Sequence, residues 1–347
     1  MHHAQKRELT SVIRDSAKSC IKGIAGLLPF PSLLRNSGQK IFLPFYHLAG
    51  DAEYPHISQL YTVRSSSLFE ADLDFLLQHF QPIDLNSLIA ITKGELPKPD
   101  KPVLHLSFDD GLSECKAVIA SILLRKGIPA TFFINSAFLD NKGLMFRYKI
   151  SLCLDLLSKM PYRDRMEFLK QASALFKKID LLSATYSENA AIDTFAKNIG
   201  LDFNAFLQDS KPYLSTEDLK TLISQGFTIG SHSIDHPRYA DIEPEEQLRQ
   251  TIESQKYLTQ TFNLNYKVFA FPFSDDGVKK PFFETILKEE NFDLTFGTAG
   301  LKKDEITGNL HRFPMESQQL DSAKKLLRSE FLYYLMKAPF GKNKLRR

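Results

Sequence analysis

From residue 40 to about residue 315, short apolar runs alternate with amphipathic stretches, and this alternation limits the fold more than any other feature. Residues 41–46, 103–108, 130–135, 227–231, 266–271, 294–297 and 310–313 are short and almost continuously apolar, as strands covered on both faces must be. Helical periodicity fills the gaps, over residues 67–80, 112–126 and 245–262, the last opening after Pro244. Two capping boxes, Ser67 with Glu70 and Ser215 with Asp218, mark helix starts, and the second helix stops at Gly226. Strand then helix, repeated seven or eight times, predicts an α/β chain with parallel strands inside, helices outside and a closed barrel.

Residues 138–213 break the rhythm, with no strand pattern but helical periodicity over 152–159, 163–178 and 190–199. A helical insertion that follows a strand sits among the catalytic loops, where it either caps the site or binds a partner. The expected organisation is a basic amphipathic segment over 1–39, a barrel over 40–330 that carries the 138–213 insertion, and a basic tail over 331–347.

Charge separates these parts. The 347 residues carry a net +3, yet residues 1–40 hold seven Lys/Arg against two acids and residues 335–347 hold five against none. The body between them is net acidic, which argues against a nucleic-acid-binding domain, because neutralising phosphates needs a basic face. Cys20, Cys115 and Cys153 are widely spaced without a CxxC, so neither a disulfide framework nor a thiolate zinc site is expected, and a reducing, cytoplasmic location fits. No run approaches the roughly 20 apolar residues of a membrane span. Over residues 11–28, Ile13, Ala17, Ile21, Ile24 and Leu28 recur at helical spacing with Arg14, Lys18 and Lys22 beside them. These charges interrupt what would be a signal-peptide core. Two readings stay open for this helix: peripheral contact through residues 1–40 with the inner face of the membrane, and packing on the barrel.

Two clusters carry chemistry. Asp109, Asp110 and Gly111 follow directly on a strand, at the end where α/β folds place their sites; a bound cation would relieve the repulsion of the paired acids. Asp-Asp-Gly is also a turn sequence. His232 and His236 follow another strand four residues apart, a spacing that on one helical turn aims both imidazoles the same way; the alternative is a pair of surface or capping histidines. Two His and one Asp would leave coordination positions open, as in a catalytic metal site.

The stretches LSFDDG at 106–111 and SHSIDHP at 231–237 resemble the first two motifs of the polysaccharide deacetylase family, the NodB-like metal-dependent carbohydrate esterases. FAFPFS at 269–274 is similar to the third, and Phe45-Tyr46-His47 to the Tyr-His often found at the start of such domains. The resemblance covers roughly residues 40–315 outside the insertion. It implies a distorted (β/α) barrel of about seven strands and one divalent ion, Zn²⁺ or a similar ion such as Co²⁺, held by Asp110, His232 and His236. It implies Asp109 as general base, the backbone N–H of Phe273 as oxyanion donor and Pro272 as a wall of the substrate groove. Ser233 is expected to hold the loop.

The chain departs from the family pattern in three places. Ala270 stands where many members carry an Arg that orients the catalytic acid, and Arg312 is the candidate to supply that charge. The fourth motif usually has a Trp, and this chain has none. The general acid is commonly a His near the end of the domain; His311, the one His after His236, is the candidate, against a buried structural or surface role. His105 is expected inside the barrel, and His47 and His56 as pocket lining or structural.

The leading expectation is a metal-dependent hydrolase that removes N-acetyl groups from an amino sugar in a glycan or lipid-linked glycan precursor, with a carbohydrate substrate and no nucleic-acid partner. The alternatives are a hydrolase of a small-molecule C–N amide in the same superfamily and a non-catalytic glycan-binding protein. The complete set of Asp109, Asp110, His232 and His236 argues against the last.

Overall fold

The computed structural model describes residues 26–176, 180–316 and 321–347. The amphipathic helix expected over residues 11–28 lies outside them apart from its last three positions. Helix α1 (Phe30–Ser37) has proline in its first turn and stops at Gly38, whose φ of 65° suits the left-handed cap.

In chain order the strands are β1 (Ile41–Phe42), β2 (Pro44–Tyr46), β3 (Gln81–Pro82), β4 (Val103–Leu104), β5 (Leu106–Phe108), β6 (Ala130–Ile134) and β7 (Thr228–Ser231). They continue with β8 (Val268–Ala270), β9 (Leu294–Gly297), β10 (Lys303–Asp304), β11 (Asn309–His311), β12 (Phe313–Pro314) and β13 (Lys344–Leu345). The main sheet is parallel throughout, in the order β11-β9-β8-β7-β6-β5-β2-β12.

Strands β11 and β12 are one extended pass of the chain, interrupted only at Arg312. The first half pairs with β9 and the second with β2, so seven passes close the barrel. At the switch Arg312 N donates to the Gly297 carbonyl (2.9 Å) and Phe313 N to the Leu43 carbonyl (2.8 Å). The runs 41–46 and 103–108 also divide. Their first halves join β3 in a separate sheet, β1-β4-β3, while their second halves enter the barrel. The second break falls at His105, whose buried ring reaches the Ile83 carbonyl (2.9 Å) and Thr131 Oγ1 (2.8 Å).

Leu43, Phe133, Val268, Ala270, Leu294 and Phe296 form one cluster inside the barrel with Leu85, Leu88 and Ile89. Two helices flank this region in sequence, α2 (Ser66–Leu77) and α3 (Leu85–Lys93), and α3 supplies those three leucine and isoleucine side chains. Lys93 pairs with Asp293 just before β9 (2.5 Å), so α3 closes the amino-terminal end of the barrel. The carboxyl ends of the strands are left for the site.

The capping box at Ser215 is present, with Asp218 N on Ser215 Oγ (3.1 Å) and Ser215 N on Asp218 Oδ2 (2.9 Å). The one expected at Ser67 is not. Three consecutive serines offer alternative caps, and Ser65 is used, accepting from Leu68 N (3.2 Å), while Glu70 pairs with Arg125 (2.6 Å).

Helix α4 (Ser121–Lys126) leads into β6. Between β6 and β7 run α5 (Phe146–Lys159), α6 (Tyr162–Leu175), α7 (Asn189–Asn198) and α8 (Phe203–Ser210), followed by α9 (Thr216–Ser224). Helices α5 to α8 share a core of their own, around Phe146, Tyr148, Leu152, Ile192 and Phe195, joined to the barrel region through Leu48, Tyr54 and Ile57, whereas α9 packs into the main core through Leu219 and Leu222. No helix among the described residues is long and apolar enough to cross a membrane.

Gly230 on β7 is the register partner of Phe133 on the adjacent strand β6. A Cβ there would sit 2.5 Å from the Phe133 ring and 2.9 Å from Val268. Gly230→Ala is therefore expected to lower stability by about 1–3 kcal/mol through overpacking. In chemical denaturation this appears as a lower midpoint with an unchanged slope, and an unshifted midpoint would mean that Phe133 is free to move aside.

Candidate active site

Strand β5 is followed directly by Asp109 and Asp110, both buried. Asp110 adopts φ 69° and Gly111 φ 65°. A Cβ at Gly111 would lie 3.1 Å from Ile134, so the glycine lets this turn pass close under β6. Left-handed backbone recurs at the other strand ends, at Ser233 (φ 73°), His236 (φ 64°) and Phe273 (φ 57°). Non-glycine residues in this region carry local strain of about 1–3 kcal/mol each, and such strain concentrates where side chains must be aimed.

The two acids are handled differently. Arg312 holds Asp109 with two bonds, Nη1 to Oδ1 (2.6 Å) and Nη2 to Oδ2 (2.8 Å), and Nη1 also donates to Ser107 Oγ (3.1 Å). Its guanidinium lies over the rings of Phe45 (4.4 Å) and Phe133 (5.1 Å). Burial alone would raise the Asp109 carboxyl, but Arg312 and His232 outweigh it and hold the group below the usual carboxylate range. The charge missing at Ala270 thus comes from Arg312, as the sequence suggested.

Asp110 has one oxygen satisfied and one bare. Tyr148, from helix α5, donates to Oδ2 (2.6 Å), whereas buried Oδ1 has no hydrogen-bond partner. Oδ1 faces His236 Nε2 at 3.2 Å and His232 Nε2 at 3.5 Å. The Nδ1 of His232 meets the Ala270 carbonyl (2.8 Å), which can only accept, so this ring carries its proton on Nδ1 and presents an Nε2 lone pair. Burial lowers the His236 imidazole and favours its neutral form. Three electron-pair donors within 4.8 Å of one another, one of them an orphaned buried carboxylate oxygen, suit a divalent cation. Asp235, in the same loop, is occupied by Gln250 of α10 (Pro244–Phe262) at 2.7 Å and by Tyr186 at 2.6 Å. Ser233 holds the loop, its Oγ accepting from His236 N (3.0 Å).

Asp109, Asp110, His232 and His236 line a cleft of about 250 Å³ together with Phe45, His47, Tyr61, Met145, Arg147, Tyr148, Phe271, Phe273 and Thr298. Phe273 stands at its rim, 42% exposed and edge-on to His236 (4.7 Å). The Ser274 N–H closes onto the Pro272 carbonyl (2.6 Å), a tight turn centred on Phe273. This turn buries Pro272 and presents its neighbours, so Phe271 and Phe273 line the cleft and the wall expected of Pro272 does not form.

His311 is not in this cleft. Side chains alternate along a strand, and because Arg312 points inward, His311 points out. Its Nε2 meets Asp304 Oδ2 (2.9 Å) within a cluster of Asp275, Asp304, Asn309 and Arg347. The role of general acid expected for it therefore lacks geometric support.

His47, read from sequence only as pocket lining or structural, is in the cleft. Its Nδ1 lies 2.5 Å from Glu316 Oε2, and Glu316 Oε1 accepts from His47 N (2.7 Å) and Leu48 N (3.1 Å). Burial would lower this imidazole, but the Glu316 carboxylate prevails and pushes it up to about 10. The signal available in the sequence was the Tyr46-His47 pair; its partner lies 269 residues away.

The sequence profile described as polysaccharide deacetylase matches residues 97–292, more than half of the chain, and the chain belongs to that family. It is a hydrolase acting on carbon–nitrogen bonds of glycans. No curated protein matches it. Among solved structures it is similar in fold to the Streptococcus pyogenes deacetylase PplD in complex with acetate (15% identity, 84% of this chain and 97% of that one, TM-score 0.54). It is also similar to IcaB from Ammonifex degensii (14% identity, 84% and 98%, TM-score 0.53) and to BC0361, a polysaccharide deacetylase from Bacillus cereus (14% identity, 84% and 69%, TM-score 0.50).

Removing His311 is expected to cost stability but not chemistry. His311→Gln should unfold at lower denaturant while kcat of the folded fraction stays within about twofold, since exposure of the buried Asp304 contact acts on the fold alone. A kcat loss of a hundredfold or more would return His311 to the reaction.

Proposed function

We propose that this chain is a metal-dependent deacetylase that removes N-acetyl groups from an amino sugar in a glycan or lipid-linked glycan precursor. The observation that carries the reading is the convergence, in one cleft, of a cation-type donor set, an arginine-held carboxylate and a histidine paired with a carboxylate. Asp110, His232 and His236 would hold the ion, with Zn²⁺ or Co²⁺ suited to two imidazoles and one carboxylate. When bound, such an ion supplies Lewis acidity toward the amide carbonyl and lowers the pKa of water.

The chain's own residues supply the rest. Asp109, kept ionised and oriented by Arg312, takes the proton of the attacking water. The N–H of Phe273, which has no hydrogen bond among the described residues, is the donor for oxygen charge that develops on the attacked carbonyl. His47, kept protonated by Glu316, gives its proton to the leaving nitrogen as the C–N bond breaks, and acetate and a free amine result.

Acetate release from N-acetylglucosamine oligomers and from a lipid-linked glycan extract, with metal-depleted and metal-restored protein, tests this. The expected result is metal-dependent acetate that falls at least about a hundredfold in Asp109→Asn. Release from the lipid-linked pool that is lost on deleting residues 1–40, with release from oligomers retained, would mark a membrane-borne precursor. Metal-loaded protein that frees no acetate from either pool overturns the reading.

The proton donor has its own signature. With His47 protonated up to about pH 10, the alkaline limb of kcat/KM should lie near that value. Glu316→Gln removes the largest raising charge and leaves burial opposed only by the more distant Asp110 and Asp109, so the limb should move down by roughly 1–3 pH units. An unmoved limb would assign the donor elsewhere.

A further inference from the structure

Charge bookkeeping in the cleft leaves one group over. Asp109 is matched by Arg312 and His47 by Glu316, and Asp110 faces the two imidazoles and the Tyr148 hydroxyl. Arg147 lines the same cleft, and among the described residues no carboxylate lies within ion-pair distance of it. Its Nη1 donates to the Leu182 carbonyl, which anchors the side chain without neutralising it. Asp180 acts on it only from a distance, and the Asp180 carboxylate is exposed and engaged in capping the turn Leu181–Ser183, accepting from Leu182 N (3.0 Å).

A second observation points the same way. Arg147 stands in the first turn of α5, a helix of 14 residues whose first turn contains no acid and whose amino end no side chain caps. Met145, Arg147 and Tyr148, from this end of the helix, all line the cleft. A helix amino terminus carries partial positive charge, so a cation in its first turn is unfavourable unless an anion answers both. Lys149, the next cation along, is already answered by Asp193 (2.7 Å). For Arg147 the chain offers no equivalent.

We propose that the cleft accepts an N-acylated amino sugar bearing an oxyanion, phosphate or carboxylate, and that Arg147 with the amino end of α5 binds this group. The inference rests on the deacetylase reading for the reacting end of the substrate. It gives the insertion a specificity role: the helices between β6 and β7 supply the contact that separates anionic from neutral sugars.

The test compares N-acetylglucosamine 1-phosphate, N-acetylmuramate and the neutral methyl N-acetylglucosaminide, with calorimetric Kd and acetate-release kinetics for the metal-loaded full chain, Arg147→Gln and Arg147→Lys. An oxyanion probe should bind roughly ten- to a hundredfold more tightly than the neutral one, the scale of a charge-assisted contact. The preference should appear in Kd and KM rather than kcat, collapse toward one in Arg147→Gln and survive in part in Arg147→Lys. The Lys variant, which keeps charge without the planar fork, carries the comparison if the Gln variant does not fold. Whichever of phosphate and carboxylate shows the larger Arg147-dependent preference identifies the oxyanion. Equal binding of charged and neutral probes, or a preference unchanged in Arg147→Gln, overturns the proposal. Acetate release without charge preference would remove the oxyanion subsite and leave the deacetylase. Arg147-dependent preference without acetate release would do the reverse.

Discussion

Two neighbouring carboxylates taken out of water at the end of one strand set the terms for everything around them. Each buried charge costs several kcal/mol unless partners are built for it, and although His232 Nε2 lies within 3.8 Å of both acids, each has its own hydrogen-bond partner. The fold answers Asp109 with a planar fork of matching geometry, 203 residues away in sequence. That fork is itself fully buried, so it is flanked by the rings of Phe45 and Phe133 and tied to Ser107. Asp110 is answered on one side by a tyrosine and left open on the other. The asymmetry is the chemical content of the pair: one acid has both oxygens held by an arginine and is oriented, and the other keeps one oxygen without a hydrogen bond.

Aiming these groups uses backbone that most residues avoid. The turns after β5, β7 and β8 each place a non-glycine residue in the left-handed region, at Asp110, at Ser233 and His236, and at Phe273. Short parallel strands make this tolerable, because their ladders and the interior cluster on α3 hold each turn from below. Rigidity at the amino-terminal end of the barrel thus supports strain at the carboxyl end. The helices inserted after β6 complete the arrangement from above, through Tyr148 and Arg147.

Much of this was legible in the chain. Apolar runs of strand length, followed by DDG and by SHSIDHP, located the strands and put the acids and histidines at their carboxyl ends. Arg312 could be singled out because Ala270 left a charge unsupplied. What escaped was parity and distance. A run of four residues does not reveal which of His311 and Arg312 faces inward, since the strand changes partner between them and period-two alternation needs a fixed face to be counted from. Glu316 was invisible as the partner of His47 because it belongs to no periodic element. Tyr148 sits on a helix whose start the apolar periodicity put at residue 152, six positions late, and its role depends on tertiary placement alone. The choice of Ser65 over Ser67 as cap turned on a run of three equivalent serines.

The strand that changes partner at Arg312 also bears on how the molecule comes into being. Ribosomal synthesis delivers Asp109, Asp110 and both imidazoles long before the stretch that carries Arg312 and Glu316. Until that stretch emerges, the barrel has an open seam between β9 and β2, and the counter-charges of Asp109 and His47 are both absent. Non-local contacts of this span form late, after the chain has met the entropy of closing a very long loop. Completion of the cylinder and assembly of the charges that line the cleft are therefore one event. A polypeptide stalled short of it would hold an unneutralised acid and an unpaired strand edge, and such an edge is a template for pairing with another chain.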